Sequence, residues 1–220
     1  MNKQYHVGRQ NRIDLIYRLR RRTDEVTRVI RKYFAPADYS RLNCLDIGTA
    51  DGLMLSKLNK LFRFNKAIGI DMSEELINTN EDEKIKLEIG NAENLKFGDD
   101  EFDIVVACAV IEHVDDPNKM LAECFRVLRK GGILIITTPN PIHDKIATRL
   151  QYFKEENHVD VFNLKRLRKL LTTNNFHTLV AKNFMFFPFF KIPGEDHIET
   201  FILFVGLAII MPNQLIVGQK

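Results

Sequence analysis

One stretch limits the fold more than any other: Leu42-Asn43-Cys44-Leu45-Asp46-Ile47-Gly48-Thr49-Ala50-Asp51-Gly52. An apolar run ends in a carboxylate, breaks into small residues, and gives way to Leu53, Leu55, Leu58 and Leu61 at helical spacing. The pattern predicts a buried strand, a tight turn and a helix. Small residues before a helix N-terminus leave backbone amides uncovered, so a ligand can approach the main chain closely.

The succession repeats downstream. Lys66–Asp71 predicts a second strand that also ends in a carboxylate, with Ser73 capping a short helix that carries Glu74 and Glu75 in its first turn. Residues 85–91 alternate and suit a third strand. Residues 102–109 form an apolar run broken only by Asp103, as suits a parallel strand covered on both faces. Pro117 opens a helix with the apolar face Met120, Leu121, Cys124, Phe125 and Leu128, and Arg129-Lys130-Gly131-Gly132 predicts its glycine C-cap. Ile133–Thr138 is the fifth strand. This alternation predicts an α/β, doubly wound, mostly parallel sheet.

A chain of 220 residues can bury one full core. Its net charge of +3 is unevenly spread: residues 1–34 hold ten Lys/Arg against three Asp/Glu. Cys44, Cys108 and Cys124 are an odd number, each in an apolar run, and read as reduced core residues without a disulfide or zinc framework. The start is polar and basic, unlike a signal peptide, and no stretch reaches the ~20 apolar residues of a membrane span. The expected location is cytoplasmic, with peripheral membrane contact left open.

The loop departs from the dinucleotide fingerprint, since Gly48, Ala50 and Leu53 stand where three glycines belong. Asp46-x-Gly48-x-Ala50-x-Gly52 instead resembles the first motif of class I S-adenosylmethionine (SAM)-dependent methyltransferases, with Ala50 replacing the central glycine. Gly90-Asn91-Ala92-Glu93-Asn94-Leu95-Lys96-Phe97, followed by Asp99-Asp100-Glu101-Phe102-Asp103, resembles that family's adenine loop. Here Asn91 and Lys96 replace the usual Asp and Pro. Val110-Ile111-Glu112-His113-Val114 is similar to the segment after the family's fourth strand. The resemblance implies a Rossmann-like, seven-stranded sheet ending in an antiparallel hairpin, with SAM as cofactor and S-adenosylhomocysteine as product.

By the same resemblance Asp46 holds the methionine amino group and Gly48 lets the loop pass under the cofactor. Asp71, 23 residues after Gly48, accepts the ribose hydroxyls, or else caps the next helix. Asn91 offers a carbonyl to the adenine amine. Thr49, Ala50, Gly52, Met72, Ala92, Glu93 and Cys108 complete the implied cofactor contacts.

Methyl transfer asks the protein to position a nucleophile, exclude water and, for a hydroxyl or protonated amine, supply a base. His113 is the first candidate, with Glu112 beside it; His143 and His158 are loop candidates, and each can equally be structural. Metal-binding relatives carry a second Glu where this chain has Ala109, so no metal site is expected.

The flanks are less constrained. Residues 1–41 read as a basic helical cap and linker, with the helix over 9–34 and its end at Pro36, and 42–220 as the SAM-binding domain. Arg18, Arg20, Arg21 and Arg22 read as a solvated face over the pocket, or as a contact for anionic lipid, RNA or an acidic substrate. Residues 141–162 are the expected acceptor-side insertion. Asn163 caps a helix faced by Leu164, Leu167, Leu170 and Leu171 that Asn175 closes in the left-handed region. Two apolar runs within 177–211, Thr178–Phe190 and Thr200–Met211, are the candidate hairpin strands. Phe184-Met185-Phe186-Phe187-Pro188-Phe189-Phe190 is either core or a surface for a lipophilic acceptor or a membrane. The expected acceptor is small or lipophilic, with RNA methylation or SAM binding without catalysis as alternatives.

Overall fold

The computed structural model describes residues 12–141, 160–185, 193–205, 207 and 211–220. Seven strands form one sheet: β1 Asn43–Ile47, β2 Lys66–Asp71, β3 Lys86–Ile89, β4 Phe102–Cys108, β5 Leu128–Pro139, β6 His177–Phe184 and β7 Asn213–Gln219. Their order is β3-β2-β1-β4-β5-β7-β6. β3, β2, β1, β4 and β5 are joined by parallel pairs, while β7 runs antiparallel to both of its neighbours. The chain winds outward from β1 to β3, then crosses back to β4. The crevice at the carboxyl ends of β1 and β4 is therefore the topological switch point, where sheets of this type receive ligands.

Helices cover both faces, as a parallel sheet requires. α1 Ile13–Tyr33 and α2 Leu53–Phe62 pack on one side, where Val26, Val29, Ile30, Leu55 and Leu58 meet Cys44, Ile104, Val106 and Ile135. α3 Glu74–Ile77 follows β2, and the Ser73 hydroxyl accepts the Leu76 amide. α4 Pro117–Val127 and α5 Leu164–Thr173 close the other side through Met120, Leu121, Cys124, Leu167 and Leu171. Asn163 caps α5 by accepting the Arg166 amide at 2.9 Å, and Asn175 has φ 65°. α6 Glu195–Phe204 precedes β7. The three cysteines are free.

Four local expectations change. In α2 the buried face is Met54, Leu55, Leu58 and Phe62, whereas Leu53 and Leu61 are exposed. The sheet fixes the helix's rotation, and leucine content alone does not. α4 ends on extended backbone at Leu128, without a glycine cap. Residues 129–132 fall at an irregularity of the β4–β5 ladder, where the register moves from Phe102↔Leu128 to Ile104↔Ile133. The cap helix starts at Ile13, and Ile13 and Ile16 are exposed rather than part of its buried face.

The fourth change concerns the terminal hairpin. β6 covers the first part of the first apolar run, to Phe184, but residues 195–204 are helical and the last strand is 213–219. β7 contains Asn213, Gln214, Gly218 and Gln219, so it lacks the apolar signature of a strand buried between two others. Its polar groups are satisfied by tertiary partners: Gln214 Nε2 donates to the carbonyls of Pro139 (2.9 Å) and Phe162 (2.7 Å). In the aromatic stretch, Phe184 and Met185 are fully buried and residues 186–190 lie outside the described residues.

Candidate active site

The loop after β1 turns through two left-handed residues, Gly48 (φ 68°) and Ala50 (φ 54°), before Gly52 (φ 74°) begins α2. A Cβ on Gly48 would lie 2.4 Å from Val110 Cγ2, so no larger residue fits beneath the loop. Ala50 takes the conformation that a glycine would adopt freely, at a cost of about 1–3 kcal/mol. The loop is braced from β2: Gly48 and Thr49 amides donate to the Ile70 carbonyl (2.8 and 3.0 Å), and the Ala50 amide donates to Asp71 Oδ2 (2.9 Å). Asp71 Oδ1 accepts the Ser73 amide at 2.9 Å. The cap and site expectations for Asp71 are thus two uses of one carboxylate, since each oxygen keeps a second lone pair.

Asp46 is 3% exposed, and its Oδ2 accepts the Thr49 hydroxyl at 2.8 Å. Burial pushes its carboxyl up to about 7; the Thr49 bond opposes that shift, while Asp71 and Asp51 add to it. A buried acid among other carboxylates is a receptor for a cation.

β4 delivers the opposite wall. Ala109, just past its end, has φ 57° and donates its amide to the Thr137 carbonyl at 2.8 Å. This second strained alanine places Val110 under Gly48. Cys108 is half-buried; burial pushes its thiol up to about 12, the Thr137 side chain opposes that shift, and smaller effects come from Asp46 and Glu112, which add to it, and Arg22, which opposes it. Charges from β1, α1 and the segment after β4 therefore converge here. Glu112 is 2% exposed and its carbonyl accepts the Asp160 amide at 3.3 Å; His113 is half-buried.

The expected adenine loop is held by its own polar groups. Asn91 Oδ1 accepts the Glu93 amide (2.8 Å), and Glu93 Oε1 accepts the amides of Asp115 (2.8 Å) and Asp116 (3.2 Å). Glu93 thus ties this loop to the segment carrying His113. Ala92 is buried and Met72 is 76% exposed at the tip of β2. His143 and His158 lie outside the described residues.

The N-terminal arginines do not form one cationic face. Arg20 is exposed and pairs loosely with Asp24 at 3.9 Å. Arg21 is 4% exposed; its Nε meets Glu195 at 3.0 Å and its Nη2 reaches Glu199 at 2.6 Å. The Tyr17 hydroxyl donates to Glu195 at 2.5 Å, so α1 and α6 share a buried ionic clasp. Arg22 is half-buried, its Nη2 3.4 Å from Asn213 Oδ1 at the start of β7 and its Nε buried without a partner among the described residues. The sequence marks Arg22 only as one of an arginine cluster and Ala109 only as the missing metal glutamate; it does not place either at the cleft. Helical spacing could have separated Arg22 from Arg21, but nothing in it tells which arginine turns toward the sheet.

Comparison with known proteins agrees with this geometry. A family model described as a methyltransferase domain matches residues 17–181. An uncharacterized protein of Methanocaldococcus jannaschii is 42% identical over 73 residues, covering 33% of this chain and 36% of that protein. The ubiquinone biosynthesis O-methyltransferase of Caulobacter vibrioides is 36% identical over 126 residues, covering 54% of this chain and 49% of the enzyme. The matches thus span about a third to a half of these relatives. A SAM-dependent methyltransferase from Archaeoglobus fulgidus shares the fold, with a TM-score of 0.66 and 19% identity over 90% of this chain and 94% of that one. With three quarters of its length inside the matched domain and the strand order that its sheet displays, the chain belongs to the class I SAM-dependent methyltransferase family.

Proposed function

We propose that this chain transfers a methyl group from SAM to a small, lipophilic acceptor. The observation that carries the reading is the meeting of Asp46, Asp71 and the Gly48 loop at the switch point, with Arg22 reaching Asn213 at the start of β7. The residues fit the cofactor. Asp46, whose ionisation is resisted by burial and by Asp71, gains most from a nearby ammonium or sulfonium. Arg22 keeps a buried Nε–H suited to a carboxylate. Asp71 keeps acceptor capacity for ribose hydroxyls beyond the two amides that it binds. Gly48, flush against Val110, leaves a floor without side chains. Asn91 and Glu93 act in this reading by shaping the loop beside the adenine.

When bound, the cofactor supplies an electrophilic methyl on sulfur, which passes in line to the acceptor with release of the thioether. The protein aligns the acceptor, excludes water and takes a proton where the nucleophile carries one. His113, half-buried shortly after β4, is the proposed base, with the buried Glu112 beside it in the chain. The lipophilic acceptor class draws support from the similarity to a ubiquinone biosynthesis O-methyltransferase and from the apolar surface of α6.

The test is a turnover assay with methyl-labelled SAM, the purified chain and a panel of phenolic, carboxylic and amine acceptors, read by mass. Labelled product together with S-adenosylhomocysteine is expected. SAM bound with ordinary affinity but no thioether released with any acceptor would leave a binding module without catalysis.

A further inference from the structure

The outer face of α6 presents a group of exposed apolar side chains. Phe201 is 64% exposed and Phe204 88%, and Val205 and Leu207 just beyond the helix are 42% and 53% exposed. At 100° per residue Phe201 and Phe204 project to the side that also carries His197 and Thr200, opposite Glu195, Glu199 and Ile202. The inner side is buried: Glu195 and Glu199 are 5% and 7% exposed, Arg21 of α1 pairs with both, and the Tyr17 hydroxyl donates to Glu195. Glu195 and Glu199 therefore face inward, and the outward side carries Phe201 and Phe204 with His197 and Thr200.

We propose that α6 is a membrane-docking helix, which seats the protein on an anionic bilayer through Phe201, Phe204, Val205 and Leu207. Its neighbour supplies the complementary charge. α1 is clasped to α6 by Tyr17 and Arg21; on its solvent side Arg20, loosely paired with Asp24 at 3.9 Å, and Arg28, paired with Glu25 at 2.6 Å, keep side chains 58% and 50% exposed. Exposed Ile13 and Ile16 extend the apolar surface along α1. Exposed aromatic residues beside basic ones suit the interface of an acidic bilayer, where rings enter the headgroup boundary and guanidinium groups meet phosphates. A second copy of the chain is the poorer occupant, because a two-fold contact would set the basic α1 helices against each other. Among the described residues no helix is long and apolar enough to span a membrane, so the contact is peripheral.

The placement deepens the proposed function and rests on it for its purpose. α1 also carries Arg22 toward Asn213 at the cleft, so a bilayer under α6 lies near the mouth where a lipophilic acceptor would enter.

The test is flotation of the whole chain with vesicles of phosphatidylcholine alone or mixed with phosphatidylglycerol, at low and high salt. The parent chain is expected to float with the mixed vesicles and to be released by salt. Phe201→Ser/Phe204→Ser should lower vesicle affinity at least about tenfold, as the loss of two inserted aromatic side chains requires, with melting temperature and SAM affinity unchanged. A parent chain that stays down with both vesicle types overturns the proposal, as does a folded double variant that floats equally well. A concentration-dependent dimer abolished by the double variant, without flotation, assigns the face to a second copy and also overturns it. Flotation needs no turnover, so absence of methyl transfer would sink the catalytic reading and leave this one standing.

Discussion

The carboxylate of Asp71 accepts the Ala50 amide at 2.9 Å, so the tip of β2 is bonded to the loop that leaves β1. One side chain thus holds an alanine in a left-handed conformation and, in the proposed function, also binds the ribose. Asp71→Ala should weaken SAM binding by ~1.5–3 kcal/mol, the worth of a hydrogen bond to a charged group. Calorimetry checks this, and unchanged affinity would remove Asp71 from the site.

Gly48 is the position least able to change. An added methyl meets Val110 Cγ2 at 2.4 Å on backbone with φ 68°. Gly48→Ala is expected to lower stability by about 1–3 kcal/mol and to abolish measurable SAM binding. Adding Val110→Ala relieves the clash but not the backbone strain, so recovery should be partial. Urea unfolding and SAM titration of both variants distinguish the two costs.

Asp46 predicts a pH dependence. Its carboxyl lies at about 7 in the fold, above the ordinary value of 3.8. Between those values the folded chain holds a proton that the unfolded chain has lost, so stability falls as pH rises from about 4 to about 7 and then levels. A cationic ligand favours the ionised form, so SAM affinity should rise over pH 6–8, with proton release at the lower end. Asp46→Asn should flatten both trends. Calorimetry in buffers of differing ionisation heat reads the proton directly, and a flat affinity profile for the unaltered chain would sink the assignment.

The α1–α6 clasp should be costly to break and cheap to replace. Arg21→Ala leaves Glu195 and Glu199 buried without their cation and is expected to cost ~3–5 kcal/mol. Arg21→Met combined with Glu195→Gln and Glu199→Gln should recover most of that. Urea unfolding and protease cleavage within 193–205 follow the effect.

His113 separates chemistry from binding. If it takes the acceptor's proton, His113→Ala should lower kcat by about 100-fold or more with little change in SAM affinity. Equal turnover retires it as the base.

Sequence by itself determined the succession of β1 to β5, the carboxylates at the tips of β1 and β2, the caps at Ser73 and Asn163, and the start of α4 at Pro117. Those follow from local rules: runs of apolar residues, breaks of small residues, and side chains that bond their own helix ends. Tertiary structure decided the last strand, because β7 is buried between two strands whatever its composition, and its glutamine finds partners only after the chain has closed. Tertiary structure also divided the adjacent arginines. Arg20 faces solvent, Arg21 is buried against α6 and Arg22 turns to the cleft, since neighbours on a helix point 100° apart and only the packing of α1 chooses their surroundings.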